Sequence, residues 1–457
     1  MPEENRLLNL HFENFIKSYS GLLKIDSRID LTHFNTLCTD SRKINKNDIF
    51  LALSGENFDG NEFVNESIEK GCKFFITENP SHINGGILVK STLEFLEDIA
   101  KFLINVNRDI KVFGITGTNG KTTTKELLSL MLSKKFNVLS TKGNFNNLIG
   151  LPLTIINLED KHDVLVLEMG TNSEGEIRKL ADIARPGFAT ITNIGKGHTE
   201  KLKNEKKVFQ EKKDISFFFD SKSVFAFNFD DEFLRNYSSD INCNKISFGI
   251  VNQADLVAKN ISTDFSKFNL VFEGKSEEVC LQAPGINNIY NSLCSASLGI
   301  MAGLELKEIK AGLEEFAGLD NRFRIIELMN ENIIINDTYN ANPNSMCSAI
   351  EMTTKIFPNK DKVAILGDML ELGAISEIEH IKVGQEIAKN GFKELYAYGP
   401  NSENYLKGLG NEVPFFKLSN HSNIKDFIDL DSISNTVILV KGSRGMRMEK
   451  IFSSLNI

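Results

Sequence analysis

The chain has 457 residues, of which 52 are lysine or arginine and 61 are aspartate or glutamate, so its net charge is −9. An apolar fraction of 41% with 25% charged residues is typical of globular proteins, and at about 150 residues per domain this length predicts roughly three domains. Because the chain is acidic and has no concentrated basic block, these values argue against a protein that wraps nucleic acid or binds anionic membranes electrostatically.

The cysteines and the apolar segments indicate the compartment. Six cysteines are scattered without a C-x-x-C spacing, which favours reduced and mostly buried side chains over a disulfide or zinc framework. The acidic N-terminus precedes no long apolar core, unlike a secretory signal. The most apolar stretch, residues 149–158, contains Pro152 and is shorter than the roughly 20 residues of a membrane helix. We therefore expect a soluble cytoplasmic protein, without membrane insertion or nucleic-acid binding, and a monomer.

The first two thirds of the chain read as two α/β units. The first hundred residues form a smaller mixed unit with a candidate strand at 48–53. From there, a strand is predicted at 111–116, a helix at 122–136, and buried strands at 164–167 and 189–192. Short apolar strands that alternate with helices are typical of a doubly wound parallel sheet.

A further α/β pattern begins after residue 319. Its candidate strands are 333–335, 363–366, 395–398 and 437–440, and its candidate helices include 345–356 and 380–389. Boundaries near residues 108 and 318 divide the chain into three predicted domains, which are 1–108, 109–318 and 319–457.

The strongest local signal is a glycine-rich segment, GITGTNGKTT at residues 114–123, between a predicted strand and a predicted helix. Glycines allow backbone N–H groups to turn around a polyphosphate, and the helix presents its positive N-terminal end. Lys121 can neutralise phosphate oxygens, and the Thr122 hydroxyl can bind Mg²⁺. Ile115 stands where the usual P-loop has its first glycine. The residues predicted to bind nucleotide here are Gly117, Thr118, Asn119, Gly120, Lys121, Thr122 and Thr123.

Three later residues are candidates for a metal site, each with a simpler interpretation. Glu168 ends a predicted strand, where ligands of an open parallel sheet gather, so it could hold Mg²⁺; a solvated strand-end glutamate is an equally good interpretation. His198 follows the next strand, but a lone histidine is more often an ordinary polar residue. Lys212 lies in a lysine-rich segment whose spacing alone favours a solvated helix face.

Together these segments resemble the Mur ligase family. The blocks TGTNGKTT (116–123), EMG (168–170) and TNIG (192–195) with His198 are similar to its central domain. Further blocks are similar to the MurF type of that family: GNFNNLIGLP (143–152), DTYNANPNS (337–345), GDMLELG (367–373), and KGSR (441–444) followed by Met448 and Glu449. The resemblance spans essentially the whole chain.

The resemblance implies an α/β fold of three domains. These would be a mixed α/β N-terminal domain that binds the UDP-sugar, a P-loop ATPase-type central parallel sheet, and a Rossmann-like C-terminal domain that brings the acceptor amine. It implies an ATP-dependent ligase that adds D-alanyl-D-alanine to UDP-MurNAc-tripeptide through an acyl phosphate, in the cytoplasmic stage of peptidoglycan precursor synthesis. ATP and two Mg²⁺ ions are the implied cofactors, with open and closed arrangements of the C-terminal domain.

The resemblance also implies roles for individual residues. Lys121, Glu168, His198 and Lys212 would be catalytic, and Thr122 would join the last three as metal ligands after CO₂ carbamylates Lys212. Lys213 could compete for that role, because the family commonly has Gly and Glu where this chain has Lys213 and Asp214. Additional nucleotide contacts are implied for Asn288, Asn291, Arg322, Asp337 and Asn340. Asn287 replaces the histidine usual before Asn288, and an asparagine-capped helix start explains that block equally well.

Substrate contacts follow from the same resemblance, and two alternatives stay open. The implied substrate residues are Ser41, Arg42, Gly55, Asp59, Gly60, Asn146, Asn147, Tyr339, Asn342, Lys441, Ser443 and Arg444. The last three would position the dipeptide, since a guanidinium can grip a carboxylate bidentately. Asn61 stands where the family usually has histidine. The alternatives are a relative with another acceptor, such as a folylpolyglutamate synthase, and a nucleotide-switched regulatory protein without ligase activity.

Overall fold

A computed structural model describes residues 6–55, 58–82, 84–196, 202–411, 413–455 and 457. The described chain forms three α/β units, each built around its own sheet. Within these ranges, no helix combines the length and the apolar character that crossing a bilayer requires. All six cysteines are free thiols, as expected, but the expectation that most of them are buried is wrong, because only Cys294 is buried and the other five are partly exposed.

The first unit contains a five-stranded sheet. Its strands, including a separate two-stranded hairpin (β4 and β5), are β1 (Leu22–Ile25), β2 (Leu37–Cys38), β3 (Ile49–Leu51), β4 (Ser54–Gly55), β5 (Phe58–Asp59), β6 (Phe74–Thr77) and β7 (Gly86–Val89). Its helices are α1 (Leu7–Ser18), α2 (Val64–Glu69) and α3 (Thr92–Val106). The sheet order is β1-β7-β6-β3-β2, with β1 antiparallel to β7 and the other pairs parallel. Ser91 caps α3 by accepting a hydrogen bond from the Glu94 N–H, and the apolar stripe of α3 packs into the core.

The central unit contains a nine-stranded sheet. Its strands are β8 (Lys111–Thr116), β9 (Val138–Ser140), β10 (Val164–Glu168), β11 (Phe188–Ile191), β12 (Val224–Asn228), β13 (Asn244–Gly249), β14 (Leu256–Lys259), β15 (Lys267–Phe272) and β16 (Lys275–Cys280). Its helices are α4 (Lys121–Leu132), α5 (Gly150–Ile155), α6 (Glu176–Ala184), α7 (Glu205–Lys212), α8 (Glu232–Tyr237), α9 (Ile286–Met301) and α10 (Leu306–Glu315).

The order of the central sheet is β16-β15-β14-β13-β12-β11-β8-β10-β9. The seven strands β8 to β14 pair in parallel, and β15 and β16 form an antiparallel edge beside β14. Both faces of the sheet are buried: Phe113 and Ile115 pack with α4 and α9, while Leu165 and Leu167 pack on the opposite face. That opposite core also contains the buried stripe of α3, so the first two units share a hydrophobic core.

The C-terminal unit contains a six-stranded sheet in the order β17-β18-β22-β19-β20-β21. Its strands are β17 (Arg324–Glu327), β18 (Ile333–Asp337), β19 (Asp361–Gly367), β20 (Glu394–Tyr398), β21 (Phe415–Leu418) and β22 (Thr436–Lys441). Its helices are α11 (Pro343–Ile356), α12 (Ser376–Lys389), α13 (Ser402–Leu409) and α14 (Lys450–Ser454). Only β17 pairs antiparallel.

The predicted α/β class and the parallel central sheet are confirmed. The helix predicted over 122–136 is α4, which begins at Lys121 and ends at Leu132. The sequence pattern did not indicate β12 to β16, of which β15 and β16 are an antiparallel hairpin with a partly polar pattern. The boundaries near 108 and 318 stay predictions; they fall in the connections between α3 and β8 and between α10 and β17.

Candidate active site

A large cleft of about 1120 Å³ lies between the central and C-terminal units. The ends of parallel strands surround it: the loop after β8, Glu168 at the end of β10, and the loop after β11 face Asp337 of β18 and Lys441 of β22. Crevices at the carboxyl ends of parallel strands are the usual binding sites of such sheets. The topology therefore brings the predicted nucleotide and acceptor residues to one place.

The phosphate loop is held open by glycine and by a neighbouring loop. Gly117 and Gly120 have φ values of 147° and 81°. A Cβ atom on Gly117 would collide with the side chain of Thr192, and one on Gly120 with the side chain of Asn291. Asn193 fixes the loop from the side, because its backbone oxygen accepts from the Thr118 N–H at 3.0 Å. Its side-chain oxygen accepts from the Asn119 N–H at 3.1 Å. The loop leads directly into α4, whose N-terminus faces the cleft.

Lys121 lies at the first position of α4, folded back over the phosphate loop. Its ammonium group donates to the backbone oxygens of Gly117 and Thr118 at 2.9 and 3.3 Å. Burial lowers the pKa of Lys121, the charge of Glu168 opposes that shift, and Arg322 adds to it. Lys121, Glu168 and Arg322 therefore lie within electrostatic reach of one another.

Glu168 is a buried carboxylate that lacks a full set of partners. Glu168 is only 2% exposed. Oε1 accepts from Asn146 Nδ2 at 2.8 Å, whereas Oε2 is buried and has no hydrogen-bond partner. An unpaired buried carboxylate oxygen is costly unless a cation or donor meets it. This orphaned oxygen fits a divalent cation.

Arg322 connects the C-terminal unit to the phosphate loop. Its Nη2 donates to Thr122 Oγ1 at 3.0 Å, and its guanidinium carbon lies 4.0 Å from the centre of the Tyr339 ring. Within the residues that the structure describes, no three His, Cys, Asp or Glu side chains form a cage for a metal. Mg²⁺ at nucleotide sites is commonly held by one or two protein groups together with phosphates and water, which suits Thr122 and Glu168.

Lys212 is the buried member of the lysine-rich segment. Lys212 is 1% exposed and is the last residue of α7. The pKa of Lys212 is lowered well below its ordinary value. Burial is the larger cause, and the positive charge of Lys121 is the second. Neighbouring Lys213 is only partly buried. The predicted solvated helix face is therefore wrong at Lys212, and His198 lies outside the described residues.

The asparagines of α9 line the other end of the cleft. Asn291 lies against Gly120 and accepts from Thr124 Oγ1 at 3.4 Å, and Asn288 donates to the Ala283 oxygen at 3.1 Å. Gly285, not an asparagine, is the residue before α9, so the interpretation of this block as an asparagine cap is wrong. Asn287 Nδ2 instead donates across the cleft to Ser348 Oγ at 2.7 Å.

The residues predicted to bind the acceptor form one hydrogen-bonded network in the C-terminal unit. Lys441 Nζ is 2.6 Å from Asp337 Oδ2 and donates to the Asn340 oxygen at 3.0 Å. Ser443 Oγ accepts from the Leu370 N–H at 2.9 Å, which fixes the loop after β19. The Arg444 guanidinium is largely exposed, and the residue lines the cleft.

The predicted N-terminal substrate residues lie apart from this cleft. Ser41 is buried and donates to Glu66 at 3.2 Å, while exposed Arg42 pairs with Asp40 at 2.8 Å. Asp59, beside Gly60, accepts from the Asn61 N–H at 2.9 Å. These residues and Gly55 do not line the central cleft, whereas Asn146 and Asn147 do.

Several contacts at the cleft escaped the sequence patterns. Asn193 and Thr192 belong to a block that the patterns singled out, but their contacts with the phosphate loop are visible only in the fold. Thr141, whose hydroxyl accepts from the Glu168 N–H at 3.0 Å, carries no sequence signal. Contacts between residues far apart in the chain have no local pattern by which to find them.

Three family models match consecutive parts of the chain: "Mur ligase family, catalytic domain" over residues 33–112, "Mur ligase middle domain" over 115–299, and "Mur ligase, glutamate ligase domain" over 321–444. The chain is 30% identical over 450 residues to a Bacillus subtilis (strain 168) protein named UDP-N-acetylmuramoyl-tripeptide--D-alanyl-D-alanine ligase, with 97% of each chain covered.

Solved structures agree with these matches. MurF from Acinetobacter baumannii superposes with a TM-score of 0.87 at 30% identity, covering 94% of each chain. MurF from Thermotoga maritima, solved in complex with ADP, superposes with a TM-score of 0.83 at 27% identity, covering 92% of this chain and 96% of that one. The likeness in sequence and fold extends over all three units. The chain therefore belongs to the Mur ligase family and, within it, to the MurF type.

Proposed function

We propose that this protein is an ATP-dependent ligase that joins D-alanyl-D-alanine to the terminal carboxylate of UDP-MurNAc-tripeptide, as a monomer in the cytoplasm. The observation that carries this proposal is the cleft itself, in which the glycine-rich loop and the unpartnered Oε2 of Glu168 face the C-terminal unit. The whole-length likeness to MurF ligases supports the choice of substrates. The product that such a ligase forms from these two substrates is a precursor of peptidoglycan.

The reaction requires activation of an unreactive acid. The tripeptide carboxylate attacks the γ-phosphorus of ATP, which forms an acyl phosphate and releases ADP. The neutral amine of the dipeptide then attacks the acyl carbon, which forms the amide and releases phosphate and a proton. Phosphoryl transfer depends mainly on positioning and on neutralisation of charge.

The residues of the central unit supply that neutralisation. Lys121 already lies over the phosphate loop, so its three donors can turn from the Gly117 and Thr118 oxygens to the β- and γ-phosphates. Arg322 contacts Thr122 from the C-terminal unit and would reach the same phosphates. Asn288 and Asn291 line the same cleft and would contact the nucleoside.

We assign the divalent cation to the side of Glu168. Thr122 Oγ1 and the unpartnered Glu168 Oε2 would hold one Mg²⁺, and Glu168, His198 and a modified Lys212 a second. When bound, Mg²⁺ supplies positive charge that draws the triphosphate and the substrate carboxylate together. Asn146 keeps the Glu168 carboxylate oriented through its 2.8 Å hydrogen bond.

We propose Lys212 rather than Lys213 as the carbamylated lysine. Carbamylation consumes a neutral amine and CO₂ and yields an anionic carbamate and a proton, so it requires an amine that is unprotonated. Burial beside Lys121 favours that neutral form. Glu211 does not pair with the amine, because its carboxylate accepts from the N–H groups of Gly175 and Ile177 at 2.6 and 2.8 Å.

The two substrates would enter from opposite sides. The UDP portion would contact the N-terminal segment of Ser41, Arg42, Gly55, Asp59 and Gly60, with Asn146 and Asn147 beside the peptide. The dipeptide would bind in the C-terminal network of Tyr339, Asn342, Lys441, Ser443 and Arg444. Lys441 is buried against Asp337 at 2.6 Å, whereas the Arg444 guanidinium is largely exposed and has a longer contact of 3.4 Å with Glu449, so we assign the dipeptide carboxylate to Arg444.

An assay of ADP release tests this function. Sustained ADP release and the ligated product should require ATP, Mg²⁺, UDP-MurNAc-tripeptide and D-Ala-D-Ala together. Without the dipeptide, at most the ADP that accompanies formation of the acyl phosphate should appear. A panel of single amino acids and other dipeptides in place of D-Ala-D-Ala tests for a ligase with another acceptor. Tight ATP binding without ADP release in every combination would instead favour a regulatory nucleotide-binding protein.

A further inference from the structure

A contact outside the catalytic set joins the loop after β11 to the C-terminal unit. Lys196 Nζ donates to Glu379 Oε1 on α12 at 3.0 Å. The backbone N–H of Lys196 donates to Asn344 Oδ1 on α11 at 3.2 Å. One residue of the central unit therefore touches two helices of the acceptor unit.

The burial of Glu379 makes this contact specific. The Glu379 side chain is only 6% exposed, which is unusual for a carboxylate, and two lysines compensate its charge. The second partner, Lys382, lies on the same helix and donates to the same oxygen at 2.9 Å. A buried carboxylate needs its counter-charges, and loss of one partner leaves it poorly compensated. Lys196 supplies one of these charges from the opposite side of the cleft.

One end of the ion pair lies next to the phosphate loop, and the other lies next to the loop after β19. On the central side, the Gly195 N–H donates to Thr118 Oγ1 at 3.0 Å, so Lys196 directly follows a contact with the phosphate loop. On the acceptor side, His380 follows Glu379 and its Nε2 accepts from the Met369 N–H at 3.0 Å. Met369 lies in the loop after β19, next to Leu370, which lines the cleft. The first turn of α12 thus connects the phosphate loop with the acceptor wall.

We propose that Glu379 is a positioning residue: through Lys196 it fixes the acceptor domain over the phosphate loop in the arrangement required for ligation. The inference rests on the proposed ligase function. Glu379 does not touch the reacting atoms. Its effect is to raise the population of molecules in which the dipeptide amine faces the activated carboxylate.

A double-mutant cycle tests the pair. The variants are Lys196→Met, Glu379→Gln and their combination, with Lys382→Met as the matched control because Lys382 meets the same oxygen from within its own domain. Each of the first two should lower kcat/KM for D-Ala-D-Ala by about tenfold, equivalent to ~1.4 kcal/mol. The combination should lose no more than either single variant, and Lys382→Met should retain activity close to that of the unmodified protein.

Scattering gives a second measurement that does not depend on turnover. With a non-hydrolysable ATP analogue and both substrates, Lys196→Met and Glu379→Gln should have a larger radius of gyration than the unmodified protein and Lys382→Met. Additive losses in the cycle, an equal loss in Lys382→Met, or full activity of Lys196→Met would overturn the inference. Absence of ligation by the unmodified protein would count against the proposed function instead, and the scattering comparison would still decide the role of the ion pair.

Discussion

Asn119 of the phosphate loop and Asn342 before α11 exchange amide hydrogen bonds across the cleft. Asn342 Nδ2 donates to Asn119 Oδ1 at 2.7 Å, and Asn119 Nδ2 donates to Asn342 Oδ1 at 3.5 Å. Asn342 also caps α11, because its side-chain oxygen accepts from the Ser345 N–H at 2.9 Å. The residue that begins a helix of the acceptor domain is therefore in contact with the loop predicted to bind ATP.

Asn342→Asp separates these two roles. Aspartate keeps the oxygen that caps α11 but cannot donate to Asn119, so the interdomain bond is lost while the helix remains capped. We expect kcat/KM for D-Ala-D-Ala to fall about tenfold with an unchanged unfolding temperature. Asn342→Ala removes the cap as well, and it should also cost about 1 kcal/mol of stability in denaturant unfolding. Full activity of the aspartate variant would show that the amide exchange is incidental.

Glu168→Gln tests the assignment of the cation site. Glutamine can still accept from Asn146, but it removes the negative charge of the oxygen that has no partner. Activity should fall by at least about 100-fold, and the Mg²⁺ concentration for half-maximal rate should rise. A Mg²⁺ titration of ADP release measures both. An unchanged Mg²⁺ requirement would place the cation elsewhere.

Lys212→Ala and Lys213→Ala distinguish the two carbamate candidates. Because Lys212 is buried and is the lysine to which we assign the carbamate, its removal should lower activity by at least about 100-fold, and short carboxylates such as formate should restore part of it. Lys213→Ala should stay active without formate, and it should still lose activity when CO₂ is removed from the buffer, because Lys212 is present to be carbamylated. Rescue of the Lys213 variant, or full activity of the Lys212 variant, would reverse the assignment.

Arg322→Lys tests whether the planar guanidinium is required. Lysine keeps the charge but loses both the stack on Tyr339 and the fork that reaches Thr122. The KM for ATP should rise about tenfold, and Tyr339→Ala should produce a similar rise because the ring then no longer orients the arginine. Tyr339→Phe keeps the ring and should raise the KM for ATP less than Tyr339→Ala. A KM for ATP that is unaffected in Arg322→Lys would remove Arg322 from the nucleotide site.

Local patterns predicted the parts of the site that are continuous in sequence. The phosphate loop was predicted because strand, glycines, lysine and helix follow one another within residues 111–132. The position of Glu168 after an apolar run also indicated a strand end, but position alone did not separate a metal ligand from a solvated carboxylate. Burial and the unpartnered oxygen make that distinction, and both are properties of the folded chain. The groups that hold Glu168 in place, Asn146 on the side chain and Thr141 on the backbone N–H, come from other parts of the chain.

Tertiary contacts explain what the patterns missed. Asn119 and Asn342 are 223 positions apart, so no window of sequence contains both. Lys212 and Lys213 are adjacent, yet they point to different faces of a helix end, and only packing shows which one is buried. Strands such as β16 were missed because antiparallel edge strands with one exposed face carry few consecutive apolar residues.

We expect His380 to make the stability of the C-terminal unit depend on pH. It is fully buried, its Nδ1–H donates to the Ser376 oxygen at 2.7 Å, and its Nε2 accepts from the Met369 N–H, which requires the neutral ring. Burial lowers the pKa of His380 below its ordinary value of 6.5, against the opposing effects of Ser376 and of Asp368, whose Oδ1 is 4.0 Å from Nε2.

The sign of the effect follows from proton binding. Below pH 6.5 the unfolded chain binds a proton at this histidine more readily than the folded chain, so stability falls as the pH decreases from about 6.5 toward the lower folded pKa. His380→Gln keeps an acceptor for Met369 but cannot titrate. It should cost roughly 1–3 kcal/mol at pH 7.5 and show a smaller loss of unfolding temperature between pH 7.5 and 5.5 than the unmodified protein. Parallel pH profiles of the two proteins in thermal unfolding would mean that His380 does not carry this dependence, because every other titrating group is common to both.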